Sequence, residues 1–371
     1  MNNFFKRNMF FRIAAITLLL SFSVFHVTSI AFAANTYDDF TYSILDNGSV
    51  RIDKFSNMYT EHLEVPSSIN GMVVTEINAR AFMHKRNLLS VTIPKSIITI
   101  GQEAFSDCLS LKTVNFGVNV KNLGAYAFNN CTSLSAINLL NIESIGDKCF
   151  YNCTSLKAVD MGNSLVSIGS NSFSNCYKLS EITFSPVLLD VGDYAFSKCK
   201  ELKSVTLPDT LKSIGNSAFT NCDSLENVTF GKGMLSIGAY CFENCPSLLK
   251  VTVPPNVMTI GSRAFVLRSG TDFSHSDGFS ITCQKGSSAQ VYCNQNNIKS
   301  VLKDFKMLFL IGDLNGNGKV EVIDARTVLR FCVDLEKYTP EQMYYADFDK
   351  SGTLEITDAR QILRVAVGLS A

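Results

Sequence analysis

Apolar residues return along most of this chain on a clock of 23 residues, with one step of 22. One unit reads Ile-Gly-x-x-Ala-Phe-x-x-Cys-x-x-Leu-x-x-Val-x-Phe, as from Ile100 to Phe116. Phenylalanine keeps this time from Phe82 to Phe265, glycine from Gly101 to Gly261, and cysteine at Cys108, Cys131, Cys153, Cys176, Cys199, Cys222 and Cys245. A fixed period of this length is the signature of a solenoid. The alternation at Val114 and Phe116, repeated at Ile137 and Leu139, Ile182 and Phe184, and Val228 and Phe230, predicts one short strand per unit with its apolar face inward. Such a strand cannot bury its own face, so the units must stack into a parallel sheet, with Leu, Phe, Cys and Ile columns forming a continuous core.

Directly paired strands place neighbouring units roughly 4.8 Å apart. That spacing carries the thiols in parallel, whereas a disulfide needs Cβ atoms near 3.8 Å and turned toward each other. The seven column cysteines are therefore expected to be buried free thiols. Cys149 and Cys241 stand in the small-residue column of Ala104, Ala127, Ala195 and Ala218 and share that expectation. For Cys283 and Cys293, outside the columns, a bridge stays open.

Both ends depart from the clock. Tyr42 to Ile52, turning at Asp46-Asn47-Gly48, reads as a hairpin over the first unit, and Leu63 to Pro66 begins the repeat irregularly. Ile281 to Cys283, followed by Gly286-Ser287-Ser288-Ala289, reads as a last strand and a capped helix. Between Val266 and Gly278 the clock breaks at an insertion holding Phe273 and His275, read as packing over the last unit in preference to a binding loop. The repeat resembles leucine-rich repeats of the BspA-like type from about residue 40 to 300, which implies a leucine-rich-repeat-like solenoid of short parallel strands and a place among bacterial surface proteins.

The last residues change pattern. Oxygen-bearing side chains fall at positions one, three, five, nine and twelve of two twelve-residue loops: Asp313, Asn315, Asn317, Glu321 and Asp324, then Asp347, Asp349, Ser351, Glu355 and Asp358. Gly318 and Gly352 stand at position six, where the loop must turn sharply, and Lys319 and Thr353 at position seven offer a backbone carbonyl. Two calcium ions are expected. Each loop runs into an amphipathic helix, with apolar stripes of Val328, Leu329, Cys332 and Leu335 and of Ile362, Leu363, Ala366 and Leu369. Two such helices bury each other, and calcium holds loops that so small a module cannot stabilise by core alone.

These loops, each closed by Asp, resemble a type I dockerin, a small all-α module. The resemblance implies binding to a cohesin domain on a scaffolding protein of anaerobic bacteria that break down plant fibre, as in a cellulosome. It assigns the cohesin contacts to Val322, Ile323, Leu329 and Arg330 and to Ile356, Thr357, Leu363 and Arg364. Many dockerins have a Ser-Thr pair where this chain has Val322 and Ile323. The chain thus divides into an export signal (1–34), a cap hairpin with an irregular first repeat (35–81), repeats (82–276), a C-terminal cap (277–301), a short apolar linker (302–311) and the dockerin (312–371).

Charge and composition narrow the function. Lys plus Arg equals Asp plus Glu at 33 each, without the basic excess of a nucleic-acid binder. Lys6, Arg7 and Arg12 precede an apolar run and Ala31-Phe32-Ala33 offers a cleavage site, so export is expected, leaving a mature chain without a membrane span. Beyond that signal only His62, His84 and His275 occur, widely separated, and there is no Gly-x-Ser-x-Gly elbow. Acidic residues such as Glu103, Asp147, Glu181 and Asp193 are read as a solvated face in preference to a glycosidase pair. The expected function is non-catalytic: docking onto cohesin at one end, binding of a protein or polysaccharide along the repeats. An adhesin directed at a host or biofilm and an unrecognised polysaccharide hydrolase are the alternatives. Candidate binding columns are the outward residues Thr92, Asn115, Asn138, Asp160, Thr183, Thr206, Thr229 and Thr252, and the tyrosines Tyr126, Tyr194 and Tyr240.

Overall fold

The computed structural model describes residues 34–269, 272–274, 278–303, 312, 314, 320–333, 335, 337–338, 343 and 345–369, with the backbone alone at 268–269 and 272–274. The export signal, most of the linker and positions 313 and 315–319 of the first loop lie outside them.

Each 23-residue unit is one coil holding two short strands. The three-residue strand is the one the alternation marks: in Thr113–Asn115, Val114 is buried and its neighbours are exposed. Its ladder is interrupted between Asn115 and Ala136 and between Thr183 and Ser204. Phe116, which the alternation includes, lies just past the strand and is only partly buried. The second strand has two residues, as in Thr99–Ile100 and Asn122–Leu123, and went unforeseen. Its ladder is the longer: among the described residues it belongs to a 13-stranded sheet running from the N-terminal hairpin to Thr259–Ile260. The hairpin pairs Phe40–Ile44 with Val50–Phe55 antiparallel, and Val50–Phe55 then pairs parallel with Met72–Ile77.

The rest of each coil is a turn whose amide groups divide between two duties. Glu103, Phe105 and Asp107 donate to the Ala125, Ala127 and Asn129 carbonyls of the next coil, while Ala104, Ser106 and Cys108 donate three residues back within their own. Buried backbone is thereby satisfied without long strands. Close approach explains the column glycine: a Cβ on Gly169 would sit 2.6 Å from the Asp147 nitrogen.

Behind the turn runs a phenylalanine spine. From Phe82 to Phe265 consecutive rings stack with centroids 4.8–5.5 Å apart, each fully or almost fully buried. Each column thiol donates to the phenylalanine carbonyl one coil back, Cys131 to Phe105 and Cys153 to Phe128 both at 3.3 Å. All the described cysteines are free. Cys283 and Cys293 are buried beside each other in the C-terminal cap. There Ser280–Cys283 is followed by helix α1 (Ser288–Gln295, capped by Ser287) and a further parallel strand, Lys299–Leu302. In the insertion, Leu267–Ser269 pairs with Asp272–Ser274 as a hairpin; the side chain of Phe273 and the whole of His275 lie outside the described residues.

Candidate functional site

The C-terminal helices α2 (Val322–Cys332) and α3 (Ile356–Ala366) bury Ala325, Val328, Ala359 and Ile362 in one small core with Ala346. This corrects the stripes read from spacing. Leu329 and Leu363 face solvent, because the packed line runs instead through Ala325 and Val328 and through Ala359 and Ile362, and the exposed Leu335 and Leu369 lie past the helix ends. Both helices begin alike: Asp324 accepts from the Glu321 amide at 2.8 Å, and Asp358 from the Glu355 amide at 2.9 Å. The same carboxylates tie the loop starts down, accepting from Leu314 at 3.1 Å and from Phe348 at 2.8 Å. Position twelve of each loop therefore fastens its first residues to its helix.

In the second loop, carboxylate oxygens of Asp347, Asp349 and Asp358 lie within 4.8 Å of one another. Asp358 is fully buried and Asp347 nearly so. Asp347 accepts from Ser351 at 3.0 Å and, through its other oxygen, from Gly352 at 2.8 Å; Gly352 turns the chain at φ 85°. Each Asp347 oxygen keeps a lone pair, and Asp358 Oδ2 takes one amide only. Three carboxylates at this spacing repel one another, and a hard divalent cation with oxygen ligands relieves that. The three carboxylates fit calcium; beside them Ser351 Oγ donates to the Thr353 carbonyl at 3.1 Å. For the first loop, Glu321 and Asp324 are described; Asp313, Asn315, Asn317 and Lys319 are not.

Of the residues assigned to cohesin, Val322, Ile323, Leu329, Ile356 and Leu363 are between 40% and 63% exposed, and Thr357 and Arg364 are exposed; Arg330 is half-buried.

On the solenoid, the outward Thr and Asn column is exposed throughout. The turns carry a second feature that hydropathy does not show: two residues per turn are held at positive φ without being glycine, among them Glu103 and Asp107, Asn171 and Asn175, Tyr194 and Lys198. Asn and Asp tolerate this conformation, and they fill most of the second of these columns. Tyr126, Tyr194 and Tyr240 occupy the first.

Residues 75–200 and 187–285 match the description "BspA type Leucine rich repeat region", in six copies. The chain belongs to this repeat family. BspA-type repeats account for the solenoid and define it by its coils, not by catalytic residues. Similar solved structures include a leucine-rich-repeat protein of T. pallidum (26% identity, 52% of this chain and 90% of that one, TM-score 0.48). A leucine-rich cell surface protein of Faecalibacterium prausnitzii (19%, 75% and 97%, TM-score 0.44) and the pneumococcal vaccine antigen PcpA (14%, 74% and 99%, TM-score 0.34) are others. No curated protein matches the sequence. Among the described residues, no helix is long and apolar enough to cross a membrane.

Proposed function

We propose that this BspA-type repeat protein is an exported, non-catalytic adaptor whose C-terminal module is a type I dockerin. Two calcium ions shape its loops, and the module seats on a cohesin of a scaffolding protein. The observation that carries the reading is the convergence of Asp347, Asp349 and Asp358 within 4.8 Å at the foot of a helix that exposes Ile356 and Leu363. Ordered loops hold the two helices that present those apolar residues, with Val322, Ile323 and Leu329, for a partner to grip. The solenoid supplies the second function, binding a protein or polysaccharide along its regular face.

A pull-down against a cohesin panel, with calcium and with chelator, tests the docking half. Capture is expected in calcium and lost on chelation or in the Asp313→Ala, Asp347→Ala double variant. Capture that survives both treatments overturns the reading. The second loop, with four carboxylates against three in the first, is expected to hold calcium more tightly; calorimetry on single-loop variants gives the order.

A further inference from the structure

We infer that the groove over the turns from Tyr151 to Arg263 binds a neutral oligosaccharide, at the place where Lys198 interrupts a ladder of side-chain amides. This deepens the proposal that the repeats bind a ligand, and it does not depend on the docking module.

The ladder runs up the second positive-φ column. Asn130 Nδ2 donates to Asp107 Oδ1 at 2.6 Å, Asn152 to Asn130 at 2.7 Å, and Asn244 to Asn221 at 3.1 Å. Among the described residues no rung joins Asn175 to Asn152; one coil on, Lys198 replaces the amide in this column, and a consequence appears on either side of it. Asn175 Oδ1 is shielded and without a hydrogen-bond partner. Asn221, lacking an acceptor below, turns its Nδ2 to Thr220 Oγ1 at 3.1 Å. A buried acceptor left unmade costs free energy, so the break needs a reason. Two hollows along these turns meet at the break: a groove of ≈ 500 Å³ and a smaller one of ≈ 420 Å³ share Lys198 and Asn221.

The tyrosines beside it are held at a cost. Tyr194 (φ 58°) and Tyr240 (φ 56°) stand in the left-handed region, in a column where other coils place Asn171 and Ser217. For a bulky residue this conformation costs on the order of 1–2 kcal/mol. The ring of Tyr126, in the same column, lies under the Lys148 ammonium at 5.2 Å; Tyr194, 45% exposed, opens onto the groove.

The chemistry selects the occupant. An extended peptide finds no free edge, because the turn amides are already used coil to coil: Tyr194 to Asn216 at 2.9 Å, Phe196 to Ala218 at 2.8 Å and Lys198 to Thr220 at 2.8 Å. The groove offers ring faces, amides and hydroxyls instead. The orphan atom is an acceptor and calls for a donor; a carboxylate has no proton to give. A sugar hydroxyl donates to Asn175 Oδ1 and accepts from Lys198 Nζ. The occupant reaches the shielded oxygen by displacing the exposed, flexible lysine chain.

The test is calorimetric titration of the full chain in calcium with cellohexaose, xylohexaose, mannohexaose and hexagalacturonate. At least one neutral hexasaccharide is expected to bind. Tyr194→Asn and Tyr240→Asn, which keep the fold because Asn171 already fills that column, should each weaken it about tenfold. Lys198→Asn returns an amide between Asn175 and Asn221 and is expected to raise the Tm while weakening binding. No neutral hexasaccharide bound, binding unchanged in both tyrosine variants, or hexagalacturonate alone bound overturns the inference. Cohesin capture, measured on the same samples, fails or survives separately.

Discussion

The column thiols do their work as small apolar groups with one weak donor. Burial pushes the thiol of Cys108 up from its ordinary 9.0 to about 12, despite the Lys85 backbone bond that opposes this, and that of Cys153 likewise to about 12. A group that keeps its proton in the fold and loses it near 9.0 when unfolded makes the folded state the more protonated one. Stability is then unaffected well below pH 9.0 and falls as pH rises from there toward 12, at about 1.4 kcal/mol per pH unit for each such thiol. Urea unfolding at pH 7 and pH 10.5 should show the drop, and Cys153→Ala should show a smaller one; equal slopes refute it. Native protein should also resist alkylation that denatured, unreduced protein accepts. Phe173, fully buried in the ring stack, should cost about 3–5 kcal/mol on replacement by Ala. What hydropathy could not disclose at this scale is the positive φ of Tyr194 or Lys198, because neither residue type signals that conformation. The recurring Asn at 130, 152, 175, 221 and 244 did carry the signal, and Lys198 was a visible gap in it.

At the scale of elements, the three-residue strands were legible because alternation needs three positions to show itself. The two-residue strands were not: Asn122–Leu123 is too short to alternate, and its pairing follows from the glycine that lets the next coil approach. Gly169→Ala tests that glycine. Its Cβ would meet backbone at 2.6 Å, so a loss of roughly 1–3 kcal/mol is expected in denaturant unfolding, against almost none at Gly278, where a Cβ meets nothing but φ is 80° and Asn is the suitable replacement. In the C-terminal module the spacing of oxygen-bearing side chains was plain in sequence, whereas the double duty of Asp358 needed coordinates. Its oxygens both cap α3 and hold the loop start, so Asn, with one carbonyl oxygen, cannot replace it; Asp349 accepts from Ser351 through Oδ1 alone, so Asp349→Asn keeps that acceptor while removing charge. In that variant circular dichroism without calcium should change little, and calcium affinity should fall sharply; parallel losses would make Asp349 a loop tie only.

Across the whole molecule, stability is distributed as a sum over neighbours, since each coil touches only the next. The core is continuous from Phe40 to Ile298, sealed by the antiparallel hairpin at one end and by α1 and Lys299–Leu302 at the other. Removing residues 34–55 should therefore expose Phe82 and cause association on sizing columns, where loss of the docking module should not. Sequence located both caps but not the extra strand at Lys299, which has no apolar alternation: its burial is uneven and mostly exposed.

The coil-to-coil ladder has a mechanical side. A protein fastened through its C-terminal end and gripped along its turns takes load first at the last coils, where each amide bond between neighbours can part without disturbing those below. Every coil that peels away frees 23 residues, about 80 Å of slack. Held this way, the solenoid would yield in even instalments under pull, lengthening its own tether before either grip is lost.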